Sequence, residues 1–170
     1  VYKRQDEKTI FGQRTVRISN GVDFDTVPLR KTINNNSSPT LHLIGVAEVH
    51  YWHGYDRLIH GVGEYYRQYH DKEIYFHIVG GVWKSEMYHS QHAPGFHELI
   101  THYHIEKQVI FHGQRMGKEL DELFDLADFA IGSLARHRSH IDKIKTLKNR
   151  EYAARGIPFI YSETDEDFDR

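Results

Sequence analysis

The sequence contains no cysteine, which excludes disulfide frameworks and thiolate metal sites and agrees with a reducing, cytoplasmic setting. It has no apolar run of about 18 residues, the length a membrane-spanning helix needs. The charged start, Val1-Tyr2-Lys3-Arg4-Gln5-Asp6-Glu7-Lys8, lacks the apolar core of a signal peptide. Charge of one sign is also missing: 22 Lys and Arg stand against 24 Asp and Glu, a formal net charge of -2. Nothing therefore pulls the chain as a whole toward nucleic acid or an anionic membrane, and an anionic ligand has to be held locally. The 14 histidines invite a metal reading. The most suggestive of them, His97, His102 and His104, complete no HExxH-type pattern, so incidental histidines are the better reading and no metal is expected.

What is present is 170 residues of which 39% are hydrophobic, enough for one compact domain with a single core. Apolar runs of strand length recur at 41–46, 74–79, 109–111, 129–134 and 159–161. They do not alternate with polar residues, which suits parallel strands covered on both faces. Between them lie helix-length segments. Residues 54–69 carry Leu58, Ile59, Val62, Tyr65, Tyr66 and Tyr69 as one apolar stripe. A weaker helix is expected around 95–104, a third at 118–127, and a fourth over about 141–154, where Gly156 and Pro158 mark its stop. This alternation predicts a doubly wound, Rossmann-like α/β sheet over 41–170. Residues 1–40 are read as a lead-in, with a turn at 18–24 and a polar loop at 34–39. The first residue is Val, and the acidic end at 163–170 follows a strand-like run with no closing element. Both ends are read as cuts in a longer protein.

In an open parallel sheet, ligands bind beyond the carboxyl ends of the strands. The residues that follow the apolar runs include Glu48, His53 and Arg57, then Gly80 and Gly81, then Gly113, Gln114 and Arg115, and finally Arg136, His137 and Arg138. The glycines either let a phosphorylated ligand approach the backbone or merely make turns. The arginines either neutralise a diphosphate or form solvated loops.

The order of segments carries a further signal. Ile18-Ser-Asn-Gly-Val-Asp23 is followed by Trp52-His-Gly-Tyr-Asp-Arg57, His77-Ile-Val-Gly-Gly81, Val109-Ile-Phe-His-Gly113, Leu126-Ala-Asp-Phe-Ala-Ile-Gly-Ser133 and Glu151-Tyr-Ala-Ala-Arg-Gly-Ile-Pro158. This resembles the C-terminal domain of family 4 glycosyltransferases, retaining enzymes of the two-domain GT-B fold, over about residues 15–163. The last segment is similar to the family's Glu-Ala-Met-Ala-x-Gly-x-Pro signature. The resemblance implies a nucleoside-diphosphate sugar as substrate, Glu151 accepting hydrogen bonds from the ribose hydroxyls, and Gly80, Gly81, Gly113 and Gln114 lining the nucleotide. It also implies no cofactor, an acceptor-binding N-terminal domain elsewhere in the protein, and polysaccharide or glycoconjugate synthesis at the inner face of a bacterial membrane, to which the whole enzyme would attach peripherally.

The chain departs from the family pattern in three places. Lys143 stands where a second Glu touches the donor sugar, and Glu48 and His53 stand where Arg and Lys hold the diphosphate. The phosphate charge is then expected from a protonated His53, from Arg57, from the 136–138 cluster, or from Lys143, Lys145 or Lys148. Two rival functions remain: a degenerate binding or scaffold domain, and a sugar-nucleotide epimerase of the same architecture.

Overall fold

The computed structural model describes residues 9–16, 20–31, 38–88 and 94–168. A short antiparallel hairpin, β1 (Thr9–Ile10) and β2 (Gln13–Arg14), precedes the main body. That body is a five-stranded parallel sheet of β3 (Thr40–Val46), β4 (Glu73–Val79), β5 (Val109–Gly113), β6 (Phe129–Ile131) and β7 (Phe159–Ile160). The helices are α1 (Tyr55–Gln68), α2 (Lys84–Tyr88), α3 (Phe96–Tyr103), α4 (Gly117–Leu126) and α5 (Leu147–Ala154). Spatial order in the sheet is β5-β4-β3-β6-β7. The chain thus winds outward from β3 in one direction, returns, and winds outward from β6 in the other. The crevice between β3 and β6 is the topological switch point, where such sheets bind ligands.

The unbroken apolar runs are explained by burial on two sides. Successive side chains on a strand point to opposite faces, so Leu43 joins one core and Ile44 the other. The first core packs Tyr55, Ile59 and Val62 of α1 and Phe96, Leu99 and Ile100 of α3 against Phe76, Ile78 and Val109. The second packs Phe124 of α4 and Tyr152 of α5 against Ile44, Val79 and Ala130. The doubly wound Rossmann-like sheet read from the sequence is the observed architecture.

Three histidines lie in a row across the sheet. His42 Nδ1 and His77 Nε2 are 3.0 Å apart, and His77 Nδ1 and His112 Nε2 are 2.9 Å apart. Burial pushes all three below the ordinary histidine range, His77 to about 4 with its two neighbours adding to the effect. They are neutral imidazoles, and each N···N contact needs one ring to donate and the next to accept.

Several boundaries differ from the sequence reading. The fourth helix starts at Leu147 rather than near 141, because the preceding residues pair with the chain after β7: Ile144 N–H donates to Thr164 O and Thr164 N–H to Asp142 O. The fourth strand ends at Ile131 rather than 134, because Leu134 turns away to donate its N–H to His53 O. Residues 20–31 are docked onto the domain, with Arg30 donating to the carbonyls of Arg155 and Ala127 and Lys31 N–H to Asp125. Of the expected turn at 18–24, residues 18 and 19 lie outside the described residues, as do 34–37 of the polar loop.

Candidate functional site

β3 leads into a loop and a single 3-10 turn, Tyr51–His53, closed by Gly54 at φ 67. A side chain at Gly54 would be strained at that φ, and its Cβ would sit 2.7 Å from the Ala135 Cβ. Glycine therefore lets the loops after β3 and β6 abut across the switch point. His53 is buried there, and its Nδ1 accepts the His50 N–H at 2.9 Å. The ring hydrogen consequently sits on Nε2. Burial, then the nearby charges of Lys148 and Arg136, push His53 down to about 2. At neutral pH His53 is thus a neutral ring that braces the loop, and the charge foreseen for it beside a diphosphate is not supplied by the protein alone.

Most of the candidate cations are already engaged. Arg57 donates to the Leu134 carbonyl. Arg138 forms a bidentate pair with Asp56, both contacts at 2.8 Å, and also donates to Tyr51 O. Lys143 is bound to Glu166 and Lys145 to Asp167, each at 2.7 Å. Lys148 differs, because its Nζ is buried and has no hydrogen-bond partner. Arg136 Nε is likewise buried and unpartnered, while its guanidinium lies 5.4 Å over the Trp52 ring. Burial, with Arg136 as the second cause, pushes the Lys148 ammonium down to about 7.

The rest of the crevice is polar and incompletely satisfied. Ser133 Oγ, Thr146 Oγ1, Asn149 Oδ1 and Glu163 Oε2 are also buried without partners. Glu163 Oε1 is engaged by Arg136 N–H and Ser162 Oγ–H. Thr146 occupies the N-cap of α5 but makes no side-chain cap, so the first N–H groups of that helix have no side-chain acceptor there. Uncompensated burial of an ammonium costs several kcal/mol. Two of these unpartnered groups, Lys148 Nζ and Arg136 Nε, are cationic donors of the kind an anion satisfies, and the Glu163 carboxylate lies against the Arg136 backbone.

Glu151 lies three residues beyond Lys148 on α5 and shares its face. One of its carboxylate oxygens accepts from Arg155 Nε at 3.0 Å, and Arg155 also grips Asp121 at 2.7 Å. Gly80, at φ 118, sits where a Cβ would collide with Ala47 O, so it serves close packing of the loops after β3 and β4. A Cβ at Gly81 would run into the Glu48 carboxylate. Gly113 and Gln114 are exposed at the end of the edge strand β5. The structure thus gathers His53, Arg136 and Lys148 at the switch point and puts Glu151 one turn along, with Gly80 and Gly81 on the neighbouring rim and Gly113 and Gln114 farther out. His97, His102 and His104 are exposed on α3 and at its end, and among the described residues no group of three or more acidic or histidine side chains could hold a metal ion.

Sequence reasoning missed Ser133, Thr146, Glu163 and the aromatic residues His50, Trp52 and Trp83. Position was the available signal, since each lies within a few residues of a strand's carboxyl end or at the start of α5.

Sheet order and the crevice at the switch point define a doubly wound, Rossmann-like α/β domain. No family model matches the sequence, and no match is found among curated protein sequences. Solved structures do match. The C-terminal domain of a glycosyl transferase group 1 family protein, LpcC from Francisella tularensis, superposes with a TM-score of 0.54 at 15% identity, over 83% of this chain and 70% of that one. Anabaena HepE, solved in complex with UDP and glucose, gives 0.56 at 16% over 85% of this chain. The lipopolysaccharide outer core galactosyltransferase WaaB gives 0.53 at 16% over 87%. The chain spans 37% of the length of each of the latter two. It has the Rossmann-like fold of the C-terminal domain of a GT-B glycosyltransferase. Among the described residues no helix is long and apolar enough to cross a membrane.

Proposed function

We propose that this chain is the donor-binding domain of a glycosyltransferase that moves a sugar from a nucleoside-diphosphate sugar to an acceptor hydroxyl with retained configuration. The unpartnered, buried Lys148 ammonium in the switch-point crevice carries the reading. In it the diphosphate takes its hydrogen bonds from Lys148, Arg136 and the start of α5. Glu151, three residues or about 4.5 Å farther along the helix, accepts the ribose hydroxyls, and the nucleotide extends past Gly80 and Gly81 toward Gly113 and Gln114. When the bond from the sugar C1 to the β-phosphate oxygen breaks, the same cations stabilise the charge gathering on the departing diphosphate. The bond from C1 to the acceptor oxygen forms on the same face, and the acceptor proton leaves with the diphosphate. Fixed cations fill the role a metal would otherwise have, so no cofactor is needed.

The acceptor would be held by a separate N-terminal domain of the same protein, whose closure excludes water and spares the donor from hydrolysis. Polysaccharide or glycoconjugate assembly at the cytoplasmic face of a membrane is the setting we assign to the whole enzyme.

Calorimetric titration with UDP, GDP and ADP tests the reading. One nucleotide should bind, and Lys148→Met should weaken it about thirtyfold, the loss of hydrogen bonds to a charged group. Failure of all three to bind the complete protein would favour the scaffold reading, and conversion of a nucleotide sugar without acceptor would favour the epimerase.

A further inference from the structure

Beyond the phosphate cradle, the loops after β3 and β4 are zipped together. Val49 and Val82 form a parallel bridge, and Val49 N–H donates to Gly81 O at 2.7 Å. This brings three aromatic side chains into one row. His50 stacks on Trp52 with ring centroids 4.3 Å apart and 22° between planes, and the Trp83 ring lies 4.7 Å from His50, tilted by 45°. Trp52 is half-buried, with His50 nearby and the Arg136 guanidinium over its ring. Trp83 is 54% exposed. Trp83 thus offers an open indole face at the carboxyl rim of the sheet, next to His50.

Glu48 stands two residues before His50, on the loop that faces Gly81 and Trp83. It is exposed, its carboxylate lies against Gly81, and among the described residues it makes no hydrogen bond or ion pair. A carboxylate next to an open aromatic face has a specific complement. The axial C–H bonds of a pyranose carry partial positive charge and meet the negative face of an indole. Two neighbouring hydroxyls of the same ring donate to a carboxylate in charge-assisted hydrogen bonds. A diphosphate, by contrast, is repelled by Glu48. Ring contacts run from Arg136 through Trp52 and His50 to Trp83, which links the cations to the open indole.

We infer that Trp83, His50 and Glu48 form a subsite for a neutral pyranose ring beside the phosphate cradle. The subsite rests on the donor-domain reading for its place in the reaction, and it assigns a specificity role to residues outside the nucleotide pocket. Its ring belongs either to the donor sugar or to the acceptor, and the chemistry is the same for both.

Saturation-transfer NMR on this chain separates the cases. The probes are methyl α-pyranosides of glucose, galactose and mannose, together with UDP, UDP-glucose, GDP, GDP-mannose, ADP and ADP-glucose. A free glycoside that binds with saturating nucleotide sugar present, and about tenfold more weakly in Trp83→Ala, assigns the subsite to the acceptor. A nucleotide sugar that binds more tightly than its nucleotide, by a factor lost in Trp83→Ala and in Glu48→Gln, assigns it to the donor. Both variants change exposed side chains, so circular dichroism should be unaltered. The inference is overturned if no glycoside binds and each nucleotide binds as well as its sugar conjugate in wild type and variants alike. That result leaves the nucleotide reading standing, whereas loss of nucleotide binding itself, with glycoside binding intact, would remove the donor reading and keep the subsite.

Discussion

Arg138 and Asp56 meet in a bidentate ion pair at the mouth of the switch-point crevice, with side-chain exposures of only 13% and 10%. The pair ties the turn after β6 to the first turn of α1. It also withdraws Arg138 from any part in holding a ligand. Removing one partner leaves a buried charge uncompensated, so Arg138→Ala should destabilise the domain by about 3–5 kcal/mol. The double change Asp56→Leu with Arg138→Met should recover most of that. Urea unfolding of the three variants measures both.

Lys148 should behave in the opposite sense. Its ammonium is buried without a partner, so Lys148→Met should stabilise the ligand-free domain by about 1–3 kcal/mol at neutral pH while weakening nucleotide binding. A stabilising substitution that weakens binding separates a ligand-holding role from a structural one. The pH dependence follows from the depressed pKa. Below pH 7 both folded and unfolded chains carry the charge, and the full desolvation penalty weighs on the fold. Between about 7 and 10.5 the folded chain holds fewer protons than the unfolded one, so stability rises with pH. Thermal melts of wild type against Lys148→Met across that window should show the gap closing as pH increases.

The row His42, His77, His112 should impose an acid limit. All three are held below the ordinary value of 6.5, His77 at about 4. As pH falls from 6.5 toward 4 the unfolded chain takes up protons that the folded chain refuses, so stability declines. His77→Phe should flatten this slope. Urea midpoints at pH 7 and pH 5 for the two proteins test it, and an unchanged slope would place the acid sensitivity elsewhere, with His53 the next group to change.

Two glycines of α1 form an internal control. A Cβ at Gly61 would meet nothing within 4 Å, and one at Gly63 would collide with the Tyr103 ring of α3. Gly61→Ala should therefore stabilise by about 1 kcal/mol through helix propensity. Gly63→Ala should destabilise in spite of the same gain, because α1 and α3 must move apart. Parallel melts of the two variants read the difference directly.

The strands and the first helix were legible because burial on two faces writes itself into unbroken apolar runs, and a one-sided helix into a stripe. The start of α5 was not, because residues 142–146 are held by pairing with residues 162–164, a contact that local pattern does not encode. For the same reason spacing alone could not choose among Lys143, Lys145 and Lys148. Their sorting depends on Glu166 and Asp167, more than twenty residues away in sequence. The state of His53 was not legible, because a histidine's charge is set by its enclosure and by the N–H it accepts, neither of which a sequence displays. The aromatic row was hidden by distance: residues 50 and 52 meet residue 83 only through the bridge between Val49 and Val82.

The acidic turn after β7 has an effect on residues it never touches. Glu166 pairs with Lys143, Asp167 with both Lys145 and Arg150, and Asp165 with Arg150, so the approach to α5 presents little bare positive charge. Small anions in bulk solution meet a rim that has already been discharged. Lys148, which none of those carboxylates engages, is left as the buried cation of α5 with no partner of its own among the described residues.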